Sequence, residues 1–239
     1  MGTLINAALI LLGGIIGLVF KKAVSKEMEF SIHKATGVAV LIIGICGVLS
    51  SMLKADSEGK IASAGELILV ISLTLGTFIG ELLKLEERLN KGCKWIENKC
   101  NMSGFAAGFI TSTMIYCVGA MAIVGSINDG LLGDSSTLIT KGILDGVTSV
   151  VLAASLGYGV LFSAIPILLY QGGMTLLAGL LDKVLVGELL SNICMVGYAL
   201  VMCIGINFLY NSDKKIKTVN MLPSLLIPIA YALIKKYIG

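Results

Sequence analysis

The sequence is poor in charged residues and in proline. Charged residues make up 14% of its 239 residues, whereas an average soluble domain has roughly 25%. The chain therefore falls outside the class of ordinary soluble domains. Only three prolines and few polar low-complexity runs are present, which argues against a disordered chain. A hydrophobic content of 56% and a mean hydropathy of +0.94 instead predict a polytopic membrane protein.

Residues that bind metals or carry common catalytic motifs are also scarce. His33 is the only histidine, and Cys93 and Cys100 are spaced unlike any compact zinc site. The other four cysteines lie in apolar segments, where a free thiol behaves as a small hydrophobic group. The sequence has no Walker loop, Gly-x-Ser-x-Gly turn or His-Glu-x-x-His motif. We therefore expect no enzyme, no metal and no cofactor.

The net charge of +3 is small, and the basic residues lie mainly in loops between apolar segments. This distribution is typical of membrane topology and argues against nucleic acid as a partner. The N-terminus lacks a basic start and runs directly into an apolar segment of full length. We interpret it as the first transmembrane helix and not as a cleaved signal peptide.

Seven segments have the ~20 mainly apolar residues that a transmembrane helix needs. They are residues 3–20, 35–53, 64–83, 104–124, 159–181, 188–210 and 219–237. An eighth, shorter segment at 138–157 either crosses the bilayer or enters it and returns. Basic residues follow the first and third segments, so the positive-inside rule places both loops in the cytoplasm and the N-terminus outside. Charge counting does not decide the side of the C-terminus.

Residues 84–103 predict a helix that lies on the cytoplasmic face of the membrane. Leu85, Leu89 and Ile96 share one stripe with charges around it, as in interfacial amphipathic helices. Trp95 suits the headgroup region. This helix is either an orientation anchor or a docking surface for a partner.

In chain order, with 138–157 counted as the fifth segment, the first segment (3–20) and the sixth (159–181) resemble each other. Gly2–Leu12 aligns without gaps to Gly159–Leu169, with six of eleven positions identical. Two further apolar segments follow each copy, so segments one to three correspond to segments six to eight. If 138–157 crosses the bilayer, the second copy is inverted, as in many secondary transporters. The predicted fold is an all-α polytopic transmembrane bundle of seven or eight spans in one domain, 1–239, divided into 1–83, 84–103, 104–157 and 158–239.

The stretch from Gly125 to Gly146 concentrates charge between apolar segments. It carries Lys141 and three aspartates, Asp129, Asp134 and Asp145. Charge beside membrane-spanning sequence is expensive and is usually retained for function. Lys141 and Asp145 are four residues apart and can pair on one helical face, which Ser149 extends. The alternative is a neutralised ion pair that only locks helices together.

Gly130 to Thr137 is interpreted as a loop that enters a helix, with Asp134 or Ser135 as its N-cap. A glycine-rich backbone at a helix start can hold an anion. Because Asp129 and Asp134 would oppose an anion, a bound cation or proton fits the residues better. Capping alone would also explain Asp134.

Polar residues also mark the fourth, sixth and first segments. In the fourth, Ser112, Tyr116, Gly119 and Ser126 follow one helical face, which either lines a pathway or packs a neighbouring helix. In the sixth, Pro166 precedes Gln171 and two glycines and predicts a bent or broken helix. The first segment has Gly13-Gly14 at the corresponding place, preceded by Asn6. The alternative is a kink filled by a neighbouring helix.

The run from Val124 to Gly179 and the opening GTLINAALILLGGIIG resemble the bacterial inner-membrane protein family of unknown function typified by YqgA and YdfK. The Gly-Ser-Ile and Asp-Gly elements near 125–130 and Tyr-Gln-Gly at 170–172 are the most specific parts, and the similarity covers nearly the whole chain. The resemblance implies a small multi-pass protein of the bacterial cytoplasmic membrane. It implies no substrate and no catalytic residues.

These observations favour a small secondary transporter or a cation- or proton-coupled permease, with its site at broken helices near the bilayer midplane. Its predicted partners are the lipid bilayer and a small solute or ion, with a homodimer left open. A non-transporting scaffold or sensor that docks partners through 84–103, or a passive channel, is the alternative. The candidate binding residues are Asn6, Tyr116, Ser126, Asn128, Asp129, Asp134, Lys141, Asp145, Ser149 and Gln171.

Overall fold

The computed structural model describes residues 1–23, 25–55, 60–100, 104–181, 185, 187–210 and 215–238. The prediction of an all-α transmembrane bundle is confirmed. The helices are α1 (Gly2–Ala23), α2 (Lys26–Met52), α3 (Glu66–Leu83), α4 (Leu85–Cys100), α5 (Phe105–Cys117), α6 (Ala120–Leu132), α7 (Ser136–Leu156), α8 (Gly159–Phe162), α9 (Ala164–Leu176), α10 (Ala178–Leu181), α11 (Gly187–Leu209), the 3₁₀ helix η1 (Thr218–Leu226) and α12 (Ile227–Ile238). Two short antiparallel strands, β1 (Leu53–Ala55) and β2 (Ile61–Ser63), are the exception to the helical prediction.

Within the described ranges, seven helical segments are long and apolar enough to span a membrane, and the bent pair α5 and α6 would make an eighth. The segment at 138–157 corresponds to α7, whose 21 residues reach spanning length. The predicted surface helix corresponds to α4, although residues 101–103 lie outside the described residues. Its position on the membrane face stays a prediction.

The chain forms two compact units, each built from both halves of the sequence. The first unit contains Met1–Gly37 and Leu89–Val184, and the second contains Val38–Arg88 and Leu185–Gly239. The predicted division at 83, 103 and 157 follows chain order and does not coincide with these units. The single-domain organisation stays a prediction.

In the first unit, α1 runs parallel to α7 and antiparallel to α8 and α9. Gly2 approaches Leu138, and Gly17 approaches the carbonyl of Val150 further along both helices. Against α9 and α8 the order is reversed. Asn6 bonds to Gln171 of α9, whereas Gly14, further along α1, approaches Leu161 of α8, which comes earlier in the sequence. The helix α1 is therefore held between these elements along most of its length.

In the second unit, two helix pairs cross in antiparallel directions. Gly44 of α2 lies against Met202 of α11, while Gly205 of α11 lies against Leu41. Similarly, Gly76 and Gly80 of α3 approach Ser224 and Asn220 of η1. Glycine at these crossings lets the backbones approach closely, as is common between membrane helices.

The predicted helix breaks are partly wrong. Gly13-Gly14 lies inside α1, which is continuous over 22 residues, because these glycines pack against neighbouring helices instead of unwinding. In the sixth segment the interruption falls at Ser163, between α8 and α9, and Gly172-Gly173 lies within α9.

The fourth segment contains the larger break. Within this segment α5 ends at Cys117 and α6 begins at Ala120, and the two helices are bent by 62° relative to each other. Gly119 adopts φ 120° and ψ 151° there, a conformation open mainly to glycine. The prediction that Ser112, Tyr116 and Ser126 share one continuous helical face is therefore wrong.

Candidate functional site

The site is built where α1 and α7 pack against each other. A Cβ at Gly13 would lie 2.1 Å from the carbonyl oxygen of Gly146, and one at Gly142 would lie 2.9 Å from the Cα of Asn6. No side chain larger than hydrogen fits without moving these backbones. The Gly-xxx-Gly pairs 13/17 and 142/146 thus both serve contacts inside the chain, which places Asn6 beside the turn of α7 that carries Lys141.

Lys141 and Asp145 form a buried ion pair on α7. The Lys141 Nζ contacts the Asp145 Oδ2, and the two residues are only 6% and 8% exposed. Asp145 is the tenth of the 21 residues of α7, so it lies near the middle of the span and not at a helix start. Both charges therefore lie within the helical segment that is long and apolar enough to span a membrane, where an isolated charge would be costly.

A hydroxyl pair continues this polar region one turn further along α7. The Tyr116 hydroxyl of α5 lies 2.6 Å from the Ser149 hydroxyl, and both side chains are fully buried. The Lys141 ammonium also lies 6.0 Å from the centroid of the Tyr116 ring, within the range of a cation–π interaction. The ring of Tyr116 thus faces the ion pair while its hydroxyl bonds to Ser149.

An amide pair joins α1 to α9. Asn6 Nδ2 donates to Gln171 Oε1 at 3.1 Å, and both side chains are fully buried. The backbone of Asn6 packs against Gly142, which lies between Lys141 and Asp145 on α7. Asn6, Lys141, Asp145 and Gln171 therefore adjoin one another, and they are called the polar cluster below. It brings together four of the ten predicted binding residues, and Tyr116 and Ser149 adjoin it.

Asp129 lies apart from the polar cluster, at the end where α1 begins and α6 ends. Its carboxylate accepts hydrogen bonds from the Ser135 hydroxyl and, at 3.1 Å, from the Met1 amine. Asn128 is half-buried, and Ser126 bonds to the Ala122 carbonyl of its own helix at 2.7 Å. The structure does not bring these three residues into contact with the ion pair, and their binding roles stay predictions.

Asp134 is exposed in the turn between α6 and α7. Its Oδ1 accepts the Ser136 N–H at 2.9 Å, and bonds from Ser136 hold the pKa of the Asp134 carboxyl below its ordinary value. This contact satisfies a free N–H at the start of α7. The capping explanation of Asp134 therefore accounts for its position, and its proposed contact with a ligand has no support from this geometry.

The sequence reasoning passed over two threonines beside the amide pair. Thr3 precedes Asn6 by three residues on α1, and Thr175 follows Gln171 by four on α9, so each shares a helical face with its amide. Both hydroxyls are buried and have no hydrogen-bond partner among the described residues. The spacing of three residues between Thr3 and Asn6, and of four between Gln171 and Thr175, could have indicated these neighbours from the sequence.

Within the part of the chain that the structure describes, no three His, Cys, Asp or Glu side chains are grouped so that they could hold a metal ion. The side chains of the polar cluster offer one ammonium, one carboxylate and two amides. These groups suit hydrogen bonding and proton or ion exchange better than metal coordination.

Comparison with known proteins gives matches over nearly the full length. Residues 1–233 match the family model described as "Protein of unknown function (DUF554)". The chain is similar to the "Uncharacterized membrane protein YdfK" of Bacillus subtilis (strain 168), with 35% identity over 227 residues that cover 95% of this chain and 93% of the relative. It is also similar to the "Uncharacterized protein YqgA" of Escherichia coli (strain K12), with 29% identity over 234 residues, 95% of this chain and 94% of the relative. No solved structure matches. The resemblance expected from the sequence is confirmed.

Proposed function

The chain belongs to the family described as "Protein of unknown function (DUF554)", and from its buried polar site we propose that it is a secondary transporter that couples a small solute to a proton or cation. We place it in the bacterial cytoplasmic membrane. The observation that carries the proposal is the buried Lys141–Asp145 pair near the middle of α7, on the turn that packs against the buried Asn6 of α1.

The position of the ion pair favours function over simple helix packing. Removing two charges from water is costly, and an apolar pair of similar size often gives equal or greater stability. Ionisable residues within membrane spans therefore usually mark ion or proton pathways. The titratable groups around Asp145 are Lys141 on its own helix and Tyr116 and Cys117 on α5. From α1 and α9 the facing groups are the neutral amides of Asn6 and Gln171.

Helix directions within the two units support the inverted repeat that accompanies this function. The predicted partners are segments one and six, two and seven, and three and eight. In each case the partners pack in antiparallel directions: α1 with α8 and α9, α2 with α11, and α3 with η1. Equivalent helices of an inverted repeat have opposite directions, and transporter sites lie where they meet. The repeat is part of the proposal.

The first experiment tests coupling through Asp145. Purified protein is reconstituted in vesicles that contain a pH-sensitive dye, and inward gradients of four pools are applied: amino acids, carboxylates, amines and sugars. We expect at least one pool to change the internal pH with wild-type protein and with Glu87→Gln, which alters an exposed carboxylate in the second unit. Asp145→Asn should abolish the change.

Two results would contradict the proposal. If no pool moves protons, and transient-current recordings of the same vesicles also stay silent, the protein does not transport these solutes. If Asp145→Asn transports as well as wild type at every pH, the carboxylate has no coupling role.

The second experiment separates a transporter from a packed scaffold. Single cysteines are placed at Ser126 and Gln171 in a protein whose native cysteines have been replaced, and a membrane-impermeant maleimide is added outside. Both positions are fully buried in this structure, so labelling requires an open conformation. A transporter should be labelled slowly at both positions, whereas a scaffold should be labelled only at an exposed control such as Leu132.

A further inference from the structure

The amide pair of the polar cluster leaves two hydrogen-bonding groups unused. Asn6 Oδ1 and Gln171 Nε2 are buried and have no hydrogen-bond partner among the residues that the structure describes. Buried polar groups in folded proteins are nearly always paired. If both amides are turned by 180°, one acceptor and one donor still remain. The pair therefore offers one free acceptor and one free donor to a ligand.

These free groups lie next to two opposite charges. Gly142 packs against the backbone of Asn6, so the amide pair adjoins the turn of α7 that holds Lys141 and Asp145. The polar cluster thus presents two acceptors, the Asp145 carboxylate and an amide oxygen, and two donors, the Lys141 ammonium and an amide N–H. Its formal charges sum to zero.

The charge balance limits which solute can enter. A solute with net charge would leave one charge unpaired at membrane depth, which is strongly disfavoured. A zwitterion adds no net charge, and its ammonium and carboxylate can each take an opposite partner. Because Lys141 and Asp145 are in direct contact, the two charges of the solute must also lie close together. An α-amino acid carries both on one carbon.

We infer that the polar cluster binds a small α-amino acid. Its ammonium donates to the Asp145 carboxylate and the free amide oxygen, while its carboxylate accepts from the Lys141 ammonium and the free amide N–H. This inference rests on the proposed transport function and names its substrate class. It also requires N–H donors on the ligand, so a quaternary ammonium zwitterion is excluded.

The test measures binding and uptake separately. Dissociation constants are measured by calorimetry on the full chain in nanodiscs for glycine, L-alanine and L-serine. The comparison compounds are glycine betaine, which has the same charges but no N–H, ethylamine, which has no carboxylate, and propionate, which has no ammonium. We expect the amino acids to bind roughly tenfold or more tightly than each comparison compound, because charge-assisted hydrogen bonds are lost in each.

Variants assign the binding to the polar cluster. The double variant Lys141→Met/Asp145→Leu removes both charges together and leaves no unpaired charge, so it should fold yet lose amino-acid binding. Gln171→Leu should weaken binding less, since it removes one neutral donor. Thr148→Val is the matched control on the same helix, because within the described ranges the Thr148 hydroxyl bonds only to the Leu144 carbonyl of its own turn, at 2.8 Å.

Each contrary result has a distinct meaning. Betaine binding as tight as that of alanine, or binding retained by the double variant, overturns the assignment to the polar cluster. If none of the amino acids binds while another pool drives proton movement in vesicles, the substrate class is wrong and transport stands. If labelled L-alanine binds but does not accumulate in vesicles under either a proton gradient or a cation gradient, transport is wrong and the site stands.

Discussion

Tyr116 and Ser149 meet through their hydroxyls at 2.6 Å, across 33 residues of sequence and between two different helices. Both side chains are fully buried, so neither hydroxyl has ready access to water. This bond connects α5, just before its break at Val118, to the middle of α7. It therefore fixes the end of the bent segment against the helix that carries the ion pair.

Removing one hydroxyl of this pair should leave the other unpaired. We expect Tyr116→Phe and Ser149→Ala each to lower stability by about 1–3 kcal/mol, the cost of an unsatisfied buried polar group. The double variant should lose less stability than the two single variants lose together, with a coupling energy of roughly 0.5–1.5 kcal/mol between the two hydroxyls. Thermal unfolding in detergent, followed by helical circular dichroism, measures these differences. Thr148→Val should unfold like wild type, and additive effects of the two substitutions would show that the hydroxyls do not interact.

The sequence pattern predicted the contact between Lys141 and Asp145 but not the contact between Asn6 and Gln171. The i,i+4 spacing of Lys141 and Asp145 was enough to predict their pairing, because both lie on one helix. The contact of Asn6 with Gln171 joins residues 165 positions apart, and it depends on how α1 packs against α9. No local sequence pattern predicts how these two helices pack. The role of Asp134 was similarly open, since a cap and a ligand-binding carboxylate have the same sequence signature.

Glycine explains the main error in the predicted fold. Gly13-Gly14 and Gly172-Gly173 occupy corresponding places in the two similar segments, and both were interpreted as sites of loosened helix. The structure keeps both helices intact there and places the breaks at Val118–Gly119 and Ser163. A single sequence does not distinguish a glycine that allows close helix packing from a glycine that allows an unusual backbone conformation.

The two glycine sites should respond in opposite ways to alanine. A Cβ at Gly13 would lie 2.1 Å from the Gly146 oxygen, so Gly13→Ala must push α1 away from α7 and should cost about 1–3 kcal/mol. A Cβ at Gly172 meets no atom of the described residues within 4 Å. Gly172→Ala should therefore be neutral or up to ~1 kcal/mol stabilising through helix propensity. Thermal unfolding of the two variants side by side checks this, and equal effects would contradict the α1–α7 packing.

Glu86 gives the second unit a pH dependence. The Glu86 N–H donates to Asn220 Oδ1 at 2.7 Å, and the Glu86 carboxylate accepts the Val219 N–H at 3.2 Å. Burial raises the pKa of the Glu86 carboxyl above its ordinary value, although the bond from Val219 opposes this. The folded chain therefore holds this proton more tightly than the unfolded chain, whose glutamate pKa is about 4.3. Ionised Glu86 costs stability above the raised pKa, and the cost disappears as the pH falls through it.

Glu86→Gln should accordingly stabilise the protein at neutral pH. The glutamine keeps an oxygen for the Val219 N–H and removes the buried charge. Because Glu86 is only half-buried and solvent screens it, the gain at about pH 7.5 should stay below ~1 kcal/mol, or roughly 2–4 °C in the melting temperature. The gain should shrink as the pH is lowered towards the glutamate pKa of the unfolded chain, about 4.3, because the raised pKa lets wild-type Glu86 take up its proton within that interval. The neighbouring exposed Glu87→Gln controls for the loss of one negative charge and should match wild type at both pH values. A gain that does not change with pH would mean that packing, and not the charge on Glu86, sets the difference.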